Sequence, residues 1–158
     1  MRSFKINFDG AIFKQENKSG IRVVIRDHTG AVMAFLAQTI APALQPTKIE
    51  AIATTRALEF GEEIGITEAV LEGDSELIIN SLRGGHSIAS VEPLLHDAKV
   101  FSNCYAKFLY SHCRRDGNRL AHSLARYSIN ISSYVVWMEG VPDPLVIVVE
   151  QDVVNLEN

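Results

Sequence analysis

A chain of 158 residues with 47% apolar side chains can bury the core of one globular domain, which excludes a disordered polar segment and a disulfide-stapled miniprotein. Its net charge of −4 carries no long run of either sign, so it lacks the basic stripe of a stand-alone nucleic-acid-binding module, and any hold on nucleic acid must come from a local patch, bound cations or a partner. Cys104 and Cys113 are too few for a disulfide framework and read as buried free thiols. No apolar run reaches the ~20 residues of a membrane span, and Arg2, Lys5 and Asp9 interrupt any secretory leader, so the expectation is a soluble, intracellular protein, with nucleus and cytoplasm not distinguished.

Phe4 to Asp9 alternates apolar and polar residues, the period of a strand, and ends beside Gly10-Ala11. Lys14 to Gly20 is a hairpin loop, Ile21 to Ile25 a second strand, Asp27 to Gly30 a turn, and Ala31 to Thr39 a third strand. Short connections make the three an antiparallel meander. Pro42 and Pro46 break the pattern. Thr47 then stands as an N-cap with Glu50 three residues on, the spacing of a capping box. Ile49, Ile52, Ala53, Ala57, Phe60 and Ile64 recur at helical intervals up to Gly65, a C′ residue.

Ala69 to Leu71 is a fourth strand that runs into Gly73-Asp74-Ser75. Ser75 caps a helix through Leu77, Ile78 and Leu82, closed by Gly84-Gly85. A helix within Ser90 to Asn103, a fifth strand from Ala106 to Cys113, a polar turn and a helix through Leu120, Ala121, Leu124, Ala125 and Ser128 complete the order. It predicts an α/β fold: a mixed five-stranded sheet flanked by helices over residues 1–128. Residues 129–158, with Trp137, Pro142, Pro144 and the apolar run Leu145 to Val149, form an extension that either packs on the domain or docks beyond it, as a homodimer contact or a contact with another protein.

Asp9, Glu50 and Asp74 each lie at the boundary of a predicted element. Such acids, on neighbouring elements, can converge on one point. Carboxylates so gathered repel unless protons or cations compensate, and hard cations take oxygen ligands. Each acid also has a plainer reading: Asp9 as a strand-end turn residue, Glu50 as a capping-box acid, Asp74 as an acid at a helix N-terminus. Spacing alone leaves both readings open.

Five separated motifs carry a resemblance. FDGA at Phe8 to Ala11 with SGIRVVIRDHTGAVMA at Ser19 to Ala34 resembles the opening of a ribonuclease H domain, of the plant group related to retroelement polymerases. KIEAIATTRALEFGEEIGI, VLEGDSELIINSL and FLYSHCRRDGNRLAHSLAR resemble that group's first helix, its fourth-strand aspartate with the following helix, and its last strand and helix. The tail VWMEGVPDPLVIVVEQDV is similar to the ending of many plant members. The resemblance implies a ribonuclease H-like fold and cleavage of the RNA strand of an RNA–DNA hybrid with Mg²⁺ or Mn²⁺ in a two-metal site. Asp9, Glu50 and Asp74 match metal-binding acids. Gly10, Thr47, Ser75, Glu76 and Asn118 match positions along the hybrid.

Two departures stand out. His122 occupies the place of the family's usual fourth acid, which weakens the second ion, and Asp116 in the preceding turn is the alternative that can reach in. His112 matches a catalytic histidine by count only. The basic hybrid-gripping protrusion is also missing, with Arg83 and Lys99 the only cations between Leu82 and Phe101, so hybrid binding is expected to be weak and salt-sensitive. Two functions of different class follow: a metal-dependent endoribonuclease, and an interaction module that keeps the fold with weak or no catalysis.

Overall fold

β1 (Phe4–Phe13) and β2 (Lys18–Arg26) form the hairpin on which everything else is placed. The computed structural model describes residues 3–85, 89–114 and 134–138. Pairing runs without a break from Lys5 opposite Arg26 to Phe13 opposite Lys18. Strand alternation therefore puts Ile6, Phe8 and Gly10 on one face with Ile25, Val23 and Ile21, and Asn7 and Asp9 on the other with Val24 and Arg22. β1 is longer than the sequence pattern suggests. Gly10 and Ala11, read as its end, pair with Ile21 and Gly20 instead, and the chain turns only at Asn17, whose φ is 51°.

β3 (Val32–Ile40) follows through the predicted turn. The Asp27 Oδ1 atom accepts from the Thr29 and Ala31 N–H groups, and Gly30 supplies the positive φ. β4 (Glu68–Gly73) and β5 (Lys107–His112) lie parallel to β1 on its other side. β6 (Tyr134–Met138) pairs antiparallel with β3, from Gln38 opposite Tyr134 to Ala34 opposite Met138. The order is β5-β4-β1-β2-β3-β6. The expected mixed sheet of five strands is present, and a sixth strand from within the C-terminal extension covers its β3 edge.

α1 (Pro46–Glu63) packs on the face that carries Ile6 and Phe8, together with α2 (Glu76–Leu82) and α3 (Glu92–Ser102). Its start corrects the sequence reading. Gln45 is the N-cap and Pro46 takes the first helical turn, where a missing N–H costs nothing, so Thr47 caps nothing. Its end follows the expectation: Gly65, at φ 86°, lets the Gly65 N–H reach Glu62 O and the Ile66 N–H reach Gly61 O, a Schellman closure. Ser75 caps α2 by accepting from the Ile78 N–H at 3.4 Å, and Gly84 ends it at φ 89°.

Both cysteines are free, as expected, but neither is fully buried. Cys104 is exposed because its backbone sits in the tight turn between α3 and β5, where its N–H bonds Phe101 O; Cys113 is half-buried. The helix expected through Leu120 to Ser128, the boundary at residues 128–129 and the run Leu145 to Val149 lie outside the described residues. No described helix is long and apolar enough to cross a membrane.

Close approach of α1 to the sheet depends on Gly61. A Cβ there would collide with the Tyr105 hydroxyl, which donates to Leu58 O at 2.6 Å, and would stand 2.8 Å from Ile6 Cδ1. Gly61→Ala is therefore expected to lower stability by roughly 1–3 kcal/mol, the usual cost of overpacking, in urea denaturation. An unchanged midpoint would show that Tyr105 can move aside freely.

Candidate metal centre

Three acids from three elements meet at one place. Asp9 lies inside β1, not at its end as the sequence suggested, and is only 3% exposed. Asn7 stands opposite Glu72 in the parallel β1–β4 ladder, so advancing two residues along each chain brings Asp9 and Asp74 side by side just past the end of β4. Glu50 comes from α1, on the opposite face. One oxygen from each of the three carboxylates lies within 4.8 Å of the others.

Gly10 makes the third arrival possible. A Cβ at Gly10 would stand 2.9 Å from Ile49 Cγ2 and 3.2 Å from the Ile49 carbonyl carbon, so only glycine lets α1 lie this close to β1. The exposed backbone is then used, since the Gly10 N–H donates to Glu50 Oε1 at 3.0 Å. The Glu50 Oε2 atom is sealed from solvent and accepts no hydrogen bond among the described residues. Burial pushes the Glu50 carboxyl well above the usual carboxylate range, Asp9 adds to the rise and Asp74 contributes less, while the Gly10 N–H opposes it.

The sequence reading missed Arg22. It is the cross-strand neighbour of Asp9, on the same face, and is fully buried. Burial pulls its guanidinium down to about 9, against the attraction of Asp9 and Glu50, and it stays protonated at neutral pH. A charged residue among Ile21, Val23, Val24 and Ile25, facing an aspartate across a predicted hairpin, was the available signal.

The remaining predicted residues are more scattered. Thr47 is half-buried in the first turn of α1, Glu76 is exposed at the start of α2, and the Ser75 hydroxyl is occupied as a helix cap. His112, at the end of β5, sets its Nε2 atom 3.2 Å from Asp74 O. The two cations noted for phosphate contact are both engaged: Arg83 donates twice to Tyr110 O, at 2.7 and 3.2 Å, and Lys99 pairs with Glu92 at 3.6 Å. Asp116, Asn118 and His122 lie outside the described residues.

Residues 7–128 match the reverse transcriptase-like family over most of the chain. The chain belongs to the reverse transcriptase-like family. A protein of Arabidopsis thaliana that carries a provisional ribonuclease H name is 28% identical to this reverse transcriptase-like domain over 151 residues, 94% of the chain. The chain spans about a quarter of that relative's length, 24%. Among solved structures it is similar to ribonuclease H1 of the archaeon Halobacterium salinarum, with a TM-score of 0.75, 23% identity and coverage of 81% of this chain and 98% of that one. LC11 ribonuclease H1 in complex with an RNA/DNA hybrid gives 0.72 and 23%, covering 81% and 97%. The N-terminal ribonuclease H domain of a Mycobacterium tuberculosis protein gives 0.73 and 21%, covering 82% and 95%. At these identities the structural likeness establishes the ribonuclease H fold.

The raised Glu50 carboxyl has a consequence for stability. In the folded state without metal it holds its proton to higher pH than in the unfolded chain, so its stabilising effect is present below the unfolded carboxylate range and is lost as pH rises through the folded value. In EDTA the reverse transcriptase-like domain is expected to melt at lower temperature as pH is raised from the ordinary glutamate range toward neutral and beyond. Glu50→Gln should flatten that slope and melt higher than wild type at the alkaline end. Parallel melting curves for the two proteins would contradict the coupling.

Proposed function

We propose that this domain is a metal-dependent endoribonuclease that cuts the RNA strand of RNA–DNA hybrids. One observation carries the reading: Asp9, Glu50 and Asp74 are gathered within 4.8 Å, with a sealed Glu50 oxygen that accepts no hydrogen bond from the described residues. That donor set, all carboxylate, fits Mg²⁺ or Mn²⁺. Such ions would supply electrostatic stabilisation of a phosphodiester and lower the pKa of an attacking water.

The chain's own residues do the rest. Gly10 holds Glu50 Oε1 through its N–H and so fixes the carboxylate at the cluster. Arg22 offsets part of their charge before any ion arrives. His112, whose Nε2 atom lies 3.2 Å from the Asp74 carbonyl oxygen, is assigned the passing of a proton to or from a group at the cluster. His122 and Asp116 are assigned the place of a fourth ligand, and Gly10, Thr47, Ser75, Glu76 and Asn118 the path of the hybrid. With Arg83 and Lys99 already bonded, these two cations add little to phosphate contact, and hybrid binding is weak. The activity belongs to the domain; the partners of any longer protein that contains it are a separate matter. A second reading, a fold kept for binding with weak catalysis, is favoured by Arg22, whose buried charge competes with a metal ion for the same acids.

A strand-labelled RNA–DNA hybrid, incubated at low salt in Mg²⁺, Mn²⁺ or EDTA, separates the readings. The proposal expects scission of the RNA strand alone, only with a divalent ion, and a loss of more than ~100-fold in Asp9→Asn and Asp74→Asn, beyond the effect of an outer-shell change. No scission in either metal at high protein would support the binding module, and scission that survives Asp9→Asn would rule out this site.

A further inference from the structure

Arg22 is unusual for where its charge lies. Its side chain is among the largest that are fully buried, and its strand neighbours are Ile21, Val23, Val24 and Ile25. A buried guanidinium is tolerated only where opposite charge lies beside it. The β1–β2 register places Asp9 directly across on the same face, and Asp9 and Glu50 are the two acids whose charges act on it. These are also two of the three acids of the metal cluster. An arginine needed only to fill space could have been apolar, as its neighbours are.

We propose that Arg22 is a resident cation of the carboxylate cluster, which takes up one of its three negative charges and so sets the affinity for a divalent ion below that of the acids alone. The proposal rests on the reading of the cluster as a metal site. The charges give its logic. With all three acids ionised, three carboxylates and one guanidinium leave two negative charges, which a divalent ion neutralises. Because Arg22 is a fixed, buried part of β2, its charge cannot leave when the ion enters, and the two cations repel.

The test is Mn²⁺ binding to the whole chain without nucleic acid, by calorimetry and by electron paramagnetic resonance, for wild type, Arg22→Met and Arg22→Lys. Expected are affinity raised at least about tenfold in Arg22→Met, since even well-screened like charges a few ångströms apart repel by that much when one is divalent, and wild-type behaviour in Arg22→Lys. In EDTA, Arg22→Met should melt lower than wild type, and adding Asp9→Asn should bring it part of the way back. Mn²⁺ should raise the melting temperature of Arg22→Met more than that of wild type. If Arg22→Met unfolds in EDTA, the comparison is made on protein refolded in Mn²⁺, where recovery of a cooperative transition supports the proposal and its absence counts against it. Unchanged or weaker Mn²⁺ binding in folded Arg22→Met overturns the role of Arg22, as does strictly additive melting of the double variant. These readouts are independent of hydrolysis. A wild type inert on hybrids whose Arg22→Met variant tightens on Mn²⁺ would keep this inference and remove the nuclease reading. A wild type that cleaves hybrids, with Mn²⁺ binding indifferent to Arg22, would do the reverse.

Discussion

The constraint on which this structure turns is repulsion among like charges gathered at a partly buried point. Asp9 is buried and one oxygen of Glu50 is sealed, yet their carboxylates and that of Asp74 lie within 4.8 Å. Such a group is stable only with a proton, a neighbouring cation or a metal ion to offset it. Two of these compensations are visible in the chain itself. Glu50 is driven toward its protonated form, and Arg22 sits buried across the ladder from Asp9. The reading of the cluster as a metal site rests on this balance of charge.

The fold supplies the convergence through ordinary geometry. A parallel β1–β4 pair sets Asp9 and Asp74 in register at the point where β4 ends, so the second acid lies just beyond the ladder and the first within β1. An antiparallel β1–β2 pair brings Arg22 to the same face. The helix that carries Glu50 packs on the opposite face, and its acid reaches the others because Gly10 gives up its side chain. Gly10 thus has a structural task at least as demanding as the contact with RNA that its resemblance to ribonuclease H suggested. It admits α1 to the sheet and offers the N–H that orients Glu50.

Much of this was legible in the sequence, and the gaps have physical causes. Local periodicity located the first five strands and the three described helices, and Gly65 and Gly84 mark helix ends by their positive φ. Register was harder to see. Gly10-Ala11 looked like a stop because glycine weakens a strand, but pairing with Gly20 and Ile21 carries β1 four residues past Asp9. Thr47 looked like a cap because the capping-box spacing to Glu50 was present, but Pro46 preempts the first turn and Glu50 is turned toward Gly10 instead. The order of elements and the family resemblance made convergence of the acids reasonable. Neither could establish it, since it depends on register between strands far apart in the chain. Arg22 escaped notice because a strand periodicity records which residues alternate, and not which charge they face. The sixth strand escaped because Tyr134–Met138 has no turn joining it to β3.

Asp9, Glu50 and Asp74 are held here to share a divalent cation, and everything said of the chemistry depends on that. A crystal structure of the protein grown or soaked in Mn²⁺, with anomalous differences collected near the manganese edge, tests it most directly. The expected result is a peak within coordination distance of an oxygen from all three carboxylates, with Arg22 still buried beside Asp9. A peak elsewhere, or none at this cluster at millimolar Mn²⁺, would contradict it.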